Sequence, residues 1–257
     1  MNCLKKLFRK KDSLVEQKIK NPLGVRGARV IGVMDAIDLK LFTHEYMQSR
    51  METLIYDGLV SDDDDADKGD IHKGSLKQWE DIDKKYPEFT KMLMIHNEIY
   101  GFLTFLVLND ECFELAKQGK LCEGDITLDV LDRDIVNNSE GYKNEFKGYF
   151  LDIVIESEHR NASNFRLLLD AFIKQIEDYA KAGKFVVEWC ANGYSEHGIK
   201  LCEMLGLEFI CNHEQEGEGQ IYHTKFNEDS FNHRGFKRYP HLVELYQKHF
   251  KDKTVNK

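Results

Sequence analysis

Apolar positions along this chain alternate between short, nearly continuous runs and stripes at helical spacing, a pattern that predicts an α/β (α+β) fold. Residues 149–155 are almost all β-branched or aromatic, as expected of a strand covered on both faces, and the polar run 156–164 marks where that strand leaves the core. Phe165, Leu168, Leu169, Phe172, Ile173 and Ile176 then recur at three- and four-residue spacing. A long helix therefore follows, with Ser163 or Asn164 as its cap and Gly183 as its stop. Upstream the pattern predicts a strand over 28–34, a helical region over 39–59, a helix over 75–85, and a hairpin whose strands, 91–95 and 99–108, flank His96-Asn97-Glu98. Gly101, inside the second hairpin strand, signals a bulge or a close approach of another backbone. Downstream come a strand over 185–190, a short helix over 195–205, strands over 208–210 and 220–226, and an aromatic-rich helix over 241–250 packed on the body. Between hairpin and central strand the long connection 109–147 reads as a helix over 111–118 stopped by Gly119, a strand-like piece over 125–130 and a polar loop over 136–147. The organisation expected is a basic tail or short helix over 1–24, one domain over 25–232, and a C-terminal helix and tail over 233–257.

Composition narrows the function classes. At 42% hydrophobic and 32% charged the chain is of the globular kind, and its net charge of −9 argues against nucleic acid as a partner, since phosphate binding needs a basic surface. The lysine-rich first twenty residues and the acidic stretch 62–70 read as solvated; the latter lacks the oxygen ligands of a calcium loop at Ala66 and Lys68. Cys3, Cys112, Cys122, Cys190, Cys202 and Cys211 form neither a C-x-x-C pair nor a zinc-like pattern, and no secretory signal precedes them, so reduced thiols in a cytoplasm are expected, with no metal site. The longest apolar run, 99–108, is too short to span a bilayer, and Leu4, Leu7 and Phe8 among lysines give no stable membrane insertion. Ser-His-Asp order, a Walker loop and a dinucleotide glycine motif are all missing.

The junction of central strand and long helix has the outline of an anion site, because free N–H groups and the positive end of a helix dipole would meet Arg160 there. Arg160, Asn161, Ala162, Ser163, Asn164 and Phe165 resemble the Arg/Gln-x-x-Gly-x-Gly/Ala loop of the GNAT superfamily of N-acetyltransferases, with Ser163 and Phe165 at the two small positions. Tyr100-Gly101-Phe102 and Gly206-Leu207-Glu208-Phe209 are similar to that family's hairpin ending and to its Gly-Phe signature. In the short helix, Ser195, Gly198 and Cys202 stand where the family shows Asn, Ala and Tyr. The resemblance implies a GNAT-like mixed, mostly antiparallel sheet of about seven strands flanked by helices. It implies acetyl-CoA as co-substrate, the backbone of Ile153, Val154 and Ile155 pairing with the pantetheine arm, and residues 160–165 receiving the pyrophosphate. The activity implied is acetyl transfer to a primary amine of a small molecule or of a peptide or protein, with the 109–147 segment shaping the acceptor side and a homodimer left open. Phe165 is expected to swing into the core, since it heads the apolar stripe of the helix. For the leaving-group acid the sequence offers Cys202 or Tyr194, and for the base Asp152, Glu156 or Glu188; His159 and His197 flank the same region. The alternative reading is a module of this type that binds CoA or another ligand or partner without turnover.

Overall fold

In the computed structural model, which describes residues 27–59, 74–136, 143–214, 219–232 and 234–255, the strands form one seven-stranded sheet of order β1-β2-β3-β4-β5-β7-β6. These are β1 (Ala28–Gly32), β2 (Thr90–Ile95), β3 (Glu98–Leu108), β4 (Glu145–Ile155), β5 (Phe185–Gly193), β6 (Glu208–Asn212) and β7 (Gln220–Lys225). Neighbours run antiparallel except β4 and β5, which are parallel and joined by a helical crossover. The expected segments 1–24 and 62–70 lie outside the described residues.

β2 and β3 meet in a two-residue turn in which His96 and Asn97 both take positive φ (48° and 70°), the backbone that suits the twist of a tight hairpin. Two bulges follow. Register slips between Leu93 and Met94, leaving Tyr100 as the extra residue, and again between Thr104 and Phe105, leaving Leu151 as the extra residue on β4. Gly101 is needed beside the first bulge, because a Cβ there would stand 2.7 Å from the Val154 carbonyl oxygen. The expected close approach is thus β4 itself.

Helices α1 (Val33–Asp38), α2 (His44–Leu59), α3 (Leu76–Lys85) and α4 (Asp110–Lys117) precede the crossover. Val33, Leu41, Met47, Met51 and Leu54 bury against Met92, Met94, Phe102 and Val154, so α1 and α2 cover one face of the hairpin. On the other face lies α5 (Ala162–Lys181), whose Phe172 sits 5.1 Å from Phe105, 5.0 Å from Phe150 and 5.3 Å from Trp189. Trp189 reaches this cluster only because Gly148 has no side chain: a Cβ there would fall 2.5 Å from the indole. α6 (Glu196–Met204) follows β5, and α7 (Pro240–Val255) packs beside α5, its buried Tyr246 hydroxyl donating to Val186 O (3.2 Å) and accepting from Val186 N–H (3.0 Å).

Four local expectations are corrected. Residues 125–130 form no strand; a 3-10 turn (Glu123–Asp125) and an isolated bridge from Leu131 to Leu108 replace it, and the apolar alternation there buries Ile126 and Leu131 against the core rather than building a ladder. The polar loop ends early, since Glu145 already opens β4 by pairing with Phe185. The cap of α5 is Asn161, whose side chain accepts from the N–H of both Ser163 and Asn164. Finally, 149–155 is not covered on both faces throughout: Leu151, Asp152, Ile153 and Val154 are half-buried. The reason is topological. β4 pairs with β3 as far as Ile155, but with β5 only from Glu145 to Phe150, so the two parallel strands part beyond that point. The seven-stranded, mostly antiparallel mixed sheet flanked by helices is the architecture that the motifs imply.

Candidate active site

The parting of β4 and β5 creates the site. Among the described residues no strand lies beside the β5-facing edge of residues 151–155, and a cavity of about 640 Å³ fills the gap. It runs from the start of α5 and from α6, past the second half of β4, to a wall made by α2, α3 and the loop at Leu121 and Ile126.

At the α5 end, the chain leaves β4 through a 3-10 turn (Ser157–His159) and enters the helix at Asn161. Asn161 and Asn164 both donate through their side chains to His159 O, at 3.1 and 2.9 Å, which fixes the loop against the helix. Part of the first-turn N–H set expected to be free is therefore held by the Asn161 side chain. The Arg160 guanidinium folds back and donates to Ile155 O from Nε (3.3 Å) and from one terminal nitrogen (3.2 Å). It ties the loop to the end of β4 while keeping its charge at the cavity wall. Asn161, Ala162 and Phe165 also line the cavity, whereas Ser163 and Asn164 do not; Phe165 packs at the same time on the core, as its place in the apolar stripe requires. Ile153, Val154 and Ile155 form the adjoining strand wall.

The candidate acids both come to the cavity. Ser195 caps α6 by accepting from Gly198 N–H at 3.1 Å, which sets Cys202 two turns along on the inner face and leaves Tyr194 at the mouth. Cys202 is buried, and burial pushes its thiol up to about 12. Tyr194 is 36% exposed.

The candidate bases separate. Asp152 lines the cavity and faces Thr104 across the β3–β4 ladder. Glu156 is outside the lining, paired with Arg50 at 3.0 Å, and Arg50 is itself anchored to Ile99 O. Glu188 lies under α4, bonded to His223 (2.8 Å) and Lys117 (3.4 Å). Its burial disfavours the charged form, but the His223 and Lys117 contacts outweigh it and hold the carboxyl below the usual range. His197 is in the cavity wall, while His159 packs at a tilt on Tyr100 with ring centroids 4.0 Å apart.

Sequence reasoning missed the far end. There Asp83 accepts from Gln48 Nε2 (3.2 Å) and Thr90 Oγ1 (3.4 Å) and lies 2.8 Å from His44 Nε2, and Thr90 and Thr104 hydroxyls meet at 3.4 Å. Gln48, Asp83, Thr90 and Thr104 are each more than nine-tenths buried and all line the cavity. A polar position at every fourth residue of α2, His44 and Gln48, inside an otherwise apolar stripe was the available signal. Among the described residues no group of side chains has the arrangement of a metal site, and no helix is long and apolar enough to cross a membrane.

No family profile and no curated protein sequence matches the chain. Solved structures do resemble it in part. Arabidopsis thaliana Naa50 in complex with the bisubstrate analogue CoA-Ac-MVNAL is 13% identical over 77% of this chain and 99% of its own, with a TM-score of 0.41. A GNAT-family acetyltransferase from Staphylococcus aureus Mu50 is 11% identical over 77% and 99%, at 0.42. The putative acetyltransferase yncA of Salmonella typhimurium with its cofactor acetyl-CoA is 11% identical over 77% and 94%, at 0.39.

Proposed function

We propose that the chain is an acyl-CoA-dependent N-acyltransferase that moves an acetyl group from acetyl-CoA to a primary amine. The observation that carries this reading is the parted β4–β5 pair: one strand presents unladdered backbone to a cavity that ends at a helix N-terminus and an arginine. Residues 153–155 pair with the pantetheine arm as an added strand would, and the pyrophosphate takes the place of the Asn161 side chain on the first-turn N–H groups beside Arg160. The thioester then lies in the gap, within reach of both faces of the sheet.

The amine nitrogen attacks the thioester carbonyl carbon, the N–C bond forms and the C–S bond breaks. An ammonium acceptor gives up two protons, both passing by way of Asp152 to solvent; the departing sulfur gains one from Tyr194, which solvent restores at the cavity mouth, so one proton is released in all. Tyr194 is preferred to Cys202 because a phenol O–H is the better donor and because burial makes the Cys202 thiol a weaker acid. That preference also favours turnover over a purely binding module, since the acid is displaced in sequence rather than lost. Tyr194→Phe is expected to lower kcat for thiol release by about 10²-fold or more, leaving CoA affinity unchanged. Steady-state turnover of acetyl-CoA with a panel of primary amines measures this; wild-type activity in the variant removes Tyr194 from the role, and no turnover of any amine by the wild type supports the binding module.

A further inference from the structure

We infer that the far end of the cavity, where Asp83 meets Thr90 and Thr104, is a subsite for the ammonium head of an amine carried on an apolar body. On the acyltransfer reading above, which this inference deepens, it seats the acceptor. The geometry begins with the carboxylate. Asp83 Oδ2 is occupied by His44 and Gln48, whereas Oδ1 receives only the 3.4 Å contact from Thr90, so it retains capacity to accept. Its ionic partner among the described residues is His44, not a lysine or arginine. A carboxylate 3% exposed at the wall of a cavity is costly unless a cation or donors complete its shell, and an ammonium group supplies both. The Thr90 and Thr104 hydroxyls, 3.4 Å apart, add acceptors on the same side for the remaining N–H groups.

What surrounds this polar end decides the class of ligand. Met51, Ile55, Trp79 and Ile126, with the carboxylates Glu52 and Glu123, line the same cavity. Trp79 in that lining offers an aromatic contact for a cation or an apolar chain. Asp152, on the parted half of β4, faces Thr104 across the ladder, so a molecule that reaches from Asp83 past Thr104 comes to the gap. The class that fits is therefore a diamine on an aliphatic or aromatic body, one ammonium held at Asp83 and the second amine reaching the gap as the nucleophile. His44 and Gln48 act as positioning residues, holding Oδ2 so that Oδ1 is presented.

Calorimetric titration of the full chain with 2-phenylethylamine and with 2-phenylethanol, its uncharged counterpart, tests this without any need for turnover. Wild type is expected to bind the amine at least tenfold more tightly than the alcohol. In Asp83→Asn the amine is expected to lose at least tenfold in affinity, with the alcohol unchanged and the melting temperature close to wild type. Equal binding of the two probes by wild type overturns the inference whether or not the variant folds, and so does a variant that loses both probes equally. Parallel titration with CoA separates the two levels. CoA bound without an amine preference defeats the subsite alone, while an Asp83-dependent amine preference without CoA binding upholds the subsite and defeats the acyltransfer reading.

Discussion

Cys202 stands where the motif resemblance puts a tyrosine, and its surroundings give it a packing role. The thiol is buried, packs with the core cluster that includes Ala191 and Leu207, and is pushed up to about 12 by burial. Cys202→Ala is expected to cost about 1 kcal/mol through a small cavity and to leave turnover per folded molecule near normal; Cys202→Tyr is expected to cost more, through overpacking. Melting temperature and kcat measured on both variants check this, and a loss of kcat by about 10²-fold in the alanine variant with unchanged stability would return the acid role to the thiol. Of the residues singled out from sequence, those read from a stripe were legible: Phe165, the first apolar residue of α5, turns inward. Those read from chemical type alone were not. Glu156, Glu188 and Asp152 are indistinguishable as carboxylates near strands, and only long-range partners, Arg50 at 106 residues' separation in one case and His223 in another, decide which are engaged elsewhere.

At the scale of elements, the hairpin and its glycine carry the site. Gly101 lets β3 lie against the second half of β4, the stretch that faces the gap. Gly101→Ala puts a methyl group against backbone, which has no rotamer with which to yield, so a loss of about 1–3 kcal/mol is expected. Denaturant unfolding measures it. A variant as stable as wild type would show that β3 and β4 can separate there without cost. Turn residues and glycines made this hairpin readable in advance, since His96-Asn97 and Gly101 act through local backbone geometry. The parting of β4 from β5 was not readable, because β4 keeps its apolar character past Phe150 and the loss of pairing depends on where β5, which continues to Gly193, runs in space. The cap of α5 lies two or three residues earlier than expected for a local reason: Asn161, Ser163 and Asn164 are all good caps, and the hydrogen bonds of Asn161 and Asn164 to His159 O favour the first.

For the whole molecule, the order of elements followed from periodicity and the mixed sheet from the motif resemblance, and the segments least well anticipated were those that pack as loops, such as 125–130. The same scale poses the sharpest question about function. A chain of net charge −9 is proposed to hold a polyanionic cofactor, so the attraction must be local, arising from the α5 N-terminus and Arg160 rather than from the overall field. Calorimetric titration of the folded chain with CoA, on wild type and on Arg160→Ala, tests that claim most directly. The account predicts saturable binding by wild type and a loss of roughly 1.5–3 kcal/mol in the variant, the range for a hydrogen bond to a charged group, with only a small fall in melting temperature. Absence of binding by the folded wild type at millimolar CoA would contradict it.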